Sequence, residues 1–174
     1  MEKLKKTVIT VLSAMICIAL LAGCTREQTR EPLDVKKVSY LVLWGDRPEV
    51  ELYIITSDRK ITQYNIRPED DKTYDYFAGE LPSEDNYEVT EFEMTEDNWK
   101  SMVDGLTEAD FMNRLDEFPD KGAGNASTYY IRVETADGVH QSGGYNAGGS
   151  MDPENRKYSV ARKAVERALN LGVY

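Results

Sequence analysis

The stretch Ser127–Tyr145, STYYIRVETADGVHQSGGY, decides the fold. Tyr129, Ile131 and Val133 alternate with Tyr130, Arg132 and Glu134, the period of a half-buried strand. Ala136-Asp137-Gly138 follows, and Asp-Gly is a strong short hairpin signal because its residues tolerate positive φ. Val139–Tyr145 then returns. A hairpin pairs its strands antiparallel, so the sheet containing it is antiparallel in this region.

Upstream, the same signals recur. Val38–Trp44 (VSYLVLW) is apolar on both faces, as a well-covered strand requires. In Val50–Ser57, Val50, Leu52 and Ile54 alternate with Glu51, Tyr53 and Ile55. Asp58-Arg59-Lys60 turns the chain, and Ile61–Arg67 completes a second hairpin with Tyr64 and Ile66 on one face. Pro68–Pro82 reads as an acidic, tyrosine-containing loop. Tyr87–Met94 predicts another strand with a phase fault. Tyr87 and Val89 share one face and Phe92 and Met94 the other, which a bulge near Thr90-Glu91 would reconcile.

Thr95 is placed to cap a helix carrying Trp99, Met102, Val103 and Leu106 at i, i+3, i+4 and i+7. Thr107–Phe118 reads as an irregular return with Phe111, Leu115 and Phe118 inward. Asp152-Pro153 opens a last helix, with Asp as cap and Pro at the first helical position. It runs to about Leu171, with Gly172 at its end and an apolar stripe of Tyr158, Ala161, Val165, Ala168 and Leu169. The order ββββ-α-ββ-α predicts an α+β fold: a hairpin-rich antiparallel sheet of about six strands with two helices packed on one face.

Between the last strand and helix, Gly143–Ser150 (GGYNAGGS) matches the phosphate-binding pattern G-x-x-x-x-G-K-[ST], except that Gly149 replaces the lysine. Asp152 would set a carboxylate where the phosphate should sit. The preceding strand belongs to a hairpin, whereas phosphate loops follow strands of parallel sheets. These features argue against a nucleotide. The glycines are expected to serve positive φ and close packing, leaving Tyr145 and Asn146 on an adaptable loop as candidate ligand contacts.

The first 24 residues carry a different message. Lys3, Lys5 and Lys6 precede an apolar run from Thr7 to Leu20, broken by Thr10 and Ser13, the form of a secretory signal peptide. The run is too short for a comfortable membrane span of ~20 apolar residues. It ends in Leu21-Ala22-Gly23-Cys24, which resembles the lipobox of bacterial lipoproteins at every position. The resemblance implies a diacylglycerol on the Cys24 sulfur, removal of residues 1–23, and residence on the outer side of the cell membrane. Two acyl chains suffice for stable anchoring where one is marginal. The chain has two cysteines, and Cys17 lies in the removed segment. The processed protein therefore keeps no free thiol, disulfide or thiolate metal site.

Residues 24–37 are expected to form the lipidated cysteine and a tether (TREQTREPLDVKK from Thr25), and residues 38–174 one domain. This domain is similar to small uncharacterised bacterial lipoproteins, in which a hairpin-rich sheet carries a helix with a tryptophan (here Trp99) and a late Tyr-Asn-Ala-Gly loop (here Tyr145–Gly148). That resemblance implies no activity.

The formal net charge is −10, which excludes the basic footprint of nucleic-acid binding and suits solubility or a cationic partner. His140 is the only histidine and is expected to face solvent. Ser57-Asp58-Arg59-Lys60 matches S-x-x-K by chance, across a turn and without K-T-G or S-D-N. The acids between Glu80 and Asp97 lack the D-x-[DN]-x-[DN]-G order of a calcium loop and read as a solvated edge strand and helix start. Asn125-Ala126-Ser127 matches a glycosylation sequon and marks an exposed loop.

Eleven tyrosines supply recognition surface, and Tyr53, Tyr74, Tyr76 and Tyr130 are expected to project outward. Together these readings predict a membrane-anchored, extracytoplasmic, non-catalytic binding domain without a cofactor. Its partner would be an envelope protein, a peptide or a cationic group, met through Tyr53, Tyr130, Tyr145 or Asn146. The alternatives are a carboxylate-based envelope hydrolase and a divalent-cation sensor or scavenger.

Overall fold

A computed structural model describes residues 31–69, 72–118, 126–149 and 152–171. Cys24 and Asn125 lie outside them. Among the described residues, six strands and two α-helices follow in the expected order: β1 (Val35–Leu43), β2 (Val50–Thr56), β3 (Lys60–Ile66), β4 (Tyr87–Glu93), α1 (Glu96–Glu108), β5 (Thr128–Thr135), β6 (Val139–Tyr145) and α2 (Pro153–Ala168). The sheet order is β4-β3-β2-β1-β5-β6, every neighbouring pair antiparallel. The fold is α+β, as the hairpins predict. No helix of the described residues is long and apolar enough to cross a membrane.

β1 opens at Val35, three residues inside the stretch read as tether. Val35 is buried and pairs with Thr135, because β5 is long enough to receive it. The bulge expected in β4 does not exist: register runs unbroken from Lys60↔Glu93 to Ile66↔Tyr87. β4 is an edge strand whose residues are exposed except for half-buried Tyr87, so neither face demands a consistent apolar phase. Met94 is buried just past the strand end, where its N–H reaches the Arg59 carbonyl at 2.9 Å.

The opposite edge is covered. Phe118 N–H donates to the Gly143 carbonyl at 2.8 Å, and the Ser142 hydroxyl donates to the Leu115 carbonyl at 2.6 Å. Phe111 and Phe118 are buried as expected, but Leu115 is half exposed. Arg114 takes the inward position instead. It pairs with Glu154 at 2.6 Å and Asp110 at 3.4 Å, tying this return to the start of α2.

Both helices pack on one face. The Thr95 hydroxyl accepts from the Asn98 N–H at 3.2 Å and caps α1; the Asp152 carboxylate accepts from the Asn155 N–H at 3.0 Å and caps α2. Met102, Val103 and Leu106 of α1 meet Tyr158, Ala161 and Val165 of α2 in the main core. A glycine inside a helix costs ~1 kcal/mol relative to alanine. Gly105 is there because a Cβ would lie 2.4 Å from the Ala164 Cβ, so α1 and α2 touch through it. α2 ends sooner than expected. Asn170, at φ 57°, takes the left-handed position anticipated for Gly172, and Leu171 N–H closes on the Glu166 carbonyl at 2.8 Å.

The second face of the sheet is covered too, by the loop between β3 and β4. Leu41, Val50, Leu52 and Ile66 form a second apolar cluster there with Tyr76, flanked by Phe77 and Leu81. Glu69 fastens that loop. Its carboxylate accepts from the Ser83 hydroxyl at 2.9 Å and the Asn86 amide at 3.4 Å, and pairs with Lys72. These donors hold the Glu69 carboxyl down at about 2, the contact with Lys72 being the largest cause.

Candidate binding cleft

The expected ligand residues do not gather in one place. Tyr145 is half-buried, and its hydroxyl accepts from the Ala126 N–H at 3.1 Å. Asn146 holds φ 53°, with its N–H on the Ser127 carbonyl at 2.9 Å and its carbonyl receiving Gly149 N–H at 2.9 Å. Gly148, at φ 82°, donates its N–H to the Asn155 side chain at 2.8 Å, and Arg162 donates to the Ala147 carbonyl at 2.9 Å. The Tyr145–Gly149 turn is thus built into the fold rather than held out to a ligand. It joins strand to helix, the alternative reading of the phosphate-loop likeness.

Tyr53 also departs from expectation. It is 2% exposed, inside the main core and stacked on Tyr40 with ring centroids 6.2 Å apart. β2 lies between β1 and β3 with both faces covered, so its alternating residues face two cores rather than core and water. The Tyr53 hydroxyl donates to Glu51 at 2.8 Å, and burial is the first cause pushing its pKa up. Glu51 in turn receives the Trp44 indole N–H at 3.1 Å and Arg47 at 3.3 Å. Arg47 lies over the Trp44 ring, 4.2 Å from its centroid.

Tyr130 is where a binding residue is expected. It projects from β5 toward the second face, opposite Gly143 of β6. Glycine is required opposite it, since a Cβ at Gly143 would sit 2.6 Å from the Tyr130 ring and 2.2 Å from the Tyr129 carbonyl oxygen. The ring forms one wall of a cleft of about 640 Å³ between the sheet and the β3–β4 loop. That volume lies within the ~300–1,000 Å³ range of ligand pockets. Trp44, Tyr74, Tyr76 and Phe77 supply its other aromatic surfaces, over an apolar floor that includes Leu41 and Val50. Tyr74 and Tyr76 stack at 5.9 Å. Neither projects freely: Tyr76 is 9% exposed and Tyr74 half-buried. Burial raises the hydroxyl pKa values of Tyr76 and Tyr130, keeping both protonated in neutral solution.

The loop's shape is set locally. The Asp75 carboxylate accepts from the Phe77 and Ala78 N–H groups, both at 3.1 Å, and its own N–H donates to Glu80 at 2.8 Å. Gly79 closes this short 3₁₀ turn at φ 85°, where a side chain would be strained. The turn presents Phe77 to the cleft.

His140 is not at the surface either. Its side chain is 14% exposed, edge-on to Phe111 at 5.4 Å, with Nδ1 3.7 Å from Asp116. It adjoins the covered sheet edge, while its chain neighbour Gln141, alternating to the other face of β6, lines the cleft. Among the described residues no three His, Cys, Asp or Glu side chains converge as a metal site would need. Sequence reasoning missed Trp44, Phe77 and Glu49 as cleft residues, and placed Tyr74 and Tyr76 outside. The only signal was the aromatic density of Tyr74-x-Tyr76-Phe77 in an otherwise acidic loop.

No protein-family model matches this chain, and no curated protein matches it.

Proposed function

We propose that this protein is a lipid-anchored, extracytoplasmic binding protein, tethered through Cys24, and that it binds its partner in the Trp44–Tyr130 cleft without catalysing a reaction. The aromatic cleft carries the reading. Rigid aromatic side chains offer large contact area at small entropy cost, and here they surround an apolar floor on a pre-formed scaffold. Leu21-Ala22-Gly23-Cys24 supports the anchor, and the acidic chain supports a stand-off from an anionic membrane surface.

Two measurements test this. Cells fed labelled palmitate should label the wild-type chain in the membrane fraction and leave Cys24→Ser unlabelled and soluble; an unlabelled wild-type chain refutes the anchor. Envelope extract passed over immobilised Cys24→Ser protein should yield a bound component that Tyr130→Ala and Phe77→Ala both lose. Equal capture by wild-type and both variants refutes the cleft.

A further inference from the structure

Resting on the cleft assigned above, we infer that its ligand is a peptide segment presenting a lysine ammonium, received by Glu49 and Tyr74. The charges lining the cleft sort into satisfied and unsatisfied groups. Arg47 is taken by Glu51 at 3.3 Å and by the Trp44 face. Lys72 is taken by Glu69. Asp75 accepts two backbone N–H groups of its own turn. Glu49 alone of the lining charges has neither an ion pair nor a side-chain hydrogen bond among the described residues. Its Oε2 is shielded from solvent and has no hydrogen-bond partner, and the same is true of the Tyr74 hydroxyl.

A shielded carboxylate oxygen without a donor is costly, and that cost is removed when a donor arrives. An acceptor-only carboxylate selects for N–H or O–H donors and, by charge, for a cation. The aromatic walls suit the same ligand. Methylenes of a lysine stem lie on ring faces while the ammonium is attracted by their negative centres. The ammonium has three donors, enough in number for both Glu49 Oε2 and the Tyr74 oxygen. A cleft of about 640 Å³ holds more than one side chain, which favours a peptide segment over a free amine. The net charge of −10 draws a cationic partner from a distance.

The test uses the Cys24→Ser chain and an acetylated, amidated pentapeptide with two lysines, titrated calorimetrically at low salt. Its norleucine counterpart, spermidine and chitotetraose are run beside it. The lysine peptide should bind, the norleucine peptide at least tenfold more weakly. Glu49→Gln should lose at least tenfold for the lysine peptide and Tyr74→Phe several-fold, neither with a lowered melting temperature, since each removes an unsatisfied polar group. Raised salt should weaken wild-type binding more than binding by Glu49→Gln. No binding of the lysine peptide, equal affinity for norleucine, or an unaffected Glu49→Gln overturns the inference. So does spermidine binding in place of the peptide, or chitotetraose binding that Tyr130→Ala abolishes. That last result would leave the cleft itself standing, whereas equal envelope capture by the Tyr130→Ala and Phe77→Ala variants would remove the cleft and this inference together.

Discussion

Tyr40 and Glu166 join the central strand to the last helix, and cutting that link should cost a measurable, non-additive amount of stability. The Tyr40 hydroxyl, on β1, donates to Glu166 Oε1 on α2 at 2.7 Å, and Tyr40 is 1% exposed. Burial, and next the neighbouring Glu166 charge, push the Tyr40 pKa well up. Arg162 Nε lies 3.4 Å from the same oxygen without hydrogen-bond geometry, and its guanidinium sits 4.3 Å from the Tyr129 ring. Hydrogen bonds to charged groups contribute ~1.5–3 kcal/mol. Tyr40→Phe removes one such bond but leaves Glu166 its cation, so about 1.5–2 kcal/mol is expected. Glu166→Gln keeps an oxygen for Tyr40 but deprives Arg162 of its counter-charge. Breaking a buried pair outright costs ~3–5 kcal/mol. Glu166 and Arg162 keep 13% of their side-chain surface, so about 2–3 kcal/mol is the expected loss. For a domain of this size 1 kcal/mol corresponds to roughly 4 °C. Urea denaturation of both singles and the double mutant should give a coupling energy of about 1 kcal/mol or more. Coupling below about 0.3 kcal/mol, the level of independent sites, would refute the claim that these residues act as one unit.

Three further outcomes follow from the geometry. Gly143→Ala would place a Cβ 2.2 Å from the Tyr129 carbonyl oxygen; a loss of about 1–3 kcal/mol is expected, read as a lower urea midpoint. The Glu69 carboxyl sits at about 2 against an ordinary 4.5. Its contribution is therefore full above about 4.5 and fades as pH falls toward 2. Amide exchange in the β3–β4 loop should accelerate across that window, and Glu69→Gln should make it fast at neutral pH. Tyr40, Tyr53 and Tyr158 are buried with raised hydroxyl pKa values. Their neutral forms stabilise fully below the unfolded value of ~10, and each adds a loss of up to ~1.4 kcal/mol per pH unit above it. Tyr158→Phe should flatten the alkaline limb of the unfolding curve; an unaltered slope would contradict its burial as a phenol.

The framework was legible because its signals are local. Asp137-Gly138, the Thr95 and Asp152 caps and the i, i+3, i+4 spacing from Trp99 each need only a few neighbours to act. What failed depended on residues distant in sequence. VSYLVLW was read correctly as covered on both faces, yet nothing in VELYIIT says that β2 shares that cover, so Tyr53 was turned outward. The helices cover the Tyr53 face, and Tyr74–Phe77, a loop without periodicity, covers the Val50 and Leu52 face expected to meet the helices. Arg114 has no apolar neighbour pattern that would announce its burial; its position follows from meeting Glu154, forty residues on. The cleft was half visible. Tyr130 was named because its strand alternates, whereas Glu49 enters only through a tertiary juxtaposition.

The sheet's two margins differ in a way that bears on self-association. At β6 the return through Phe118 covers the ladder at Gly143. At β4 the margin is bare, with Glu88, Glu91 and Glu93 along it and Val89 and Phe92 half exposed between them. A second copy stacking margin to margin would bring like charges into register, a direct repulsion. Crowded together, such molecules would remain separate, and neutralising those three glutamates would let two copies pair through this one margin into a closed, two-fold dimer.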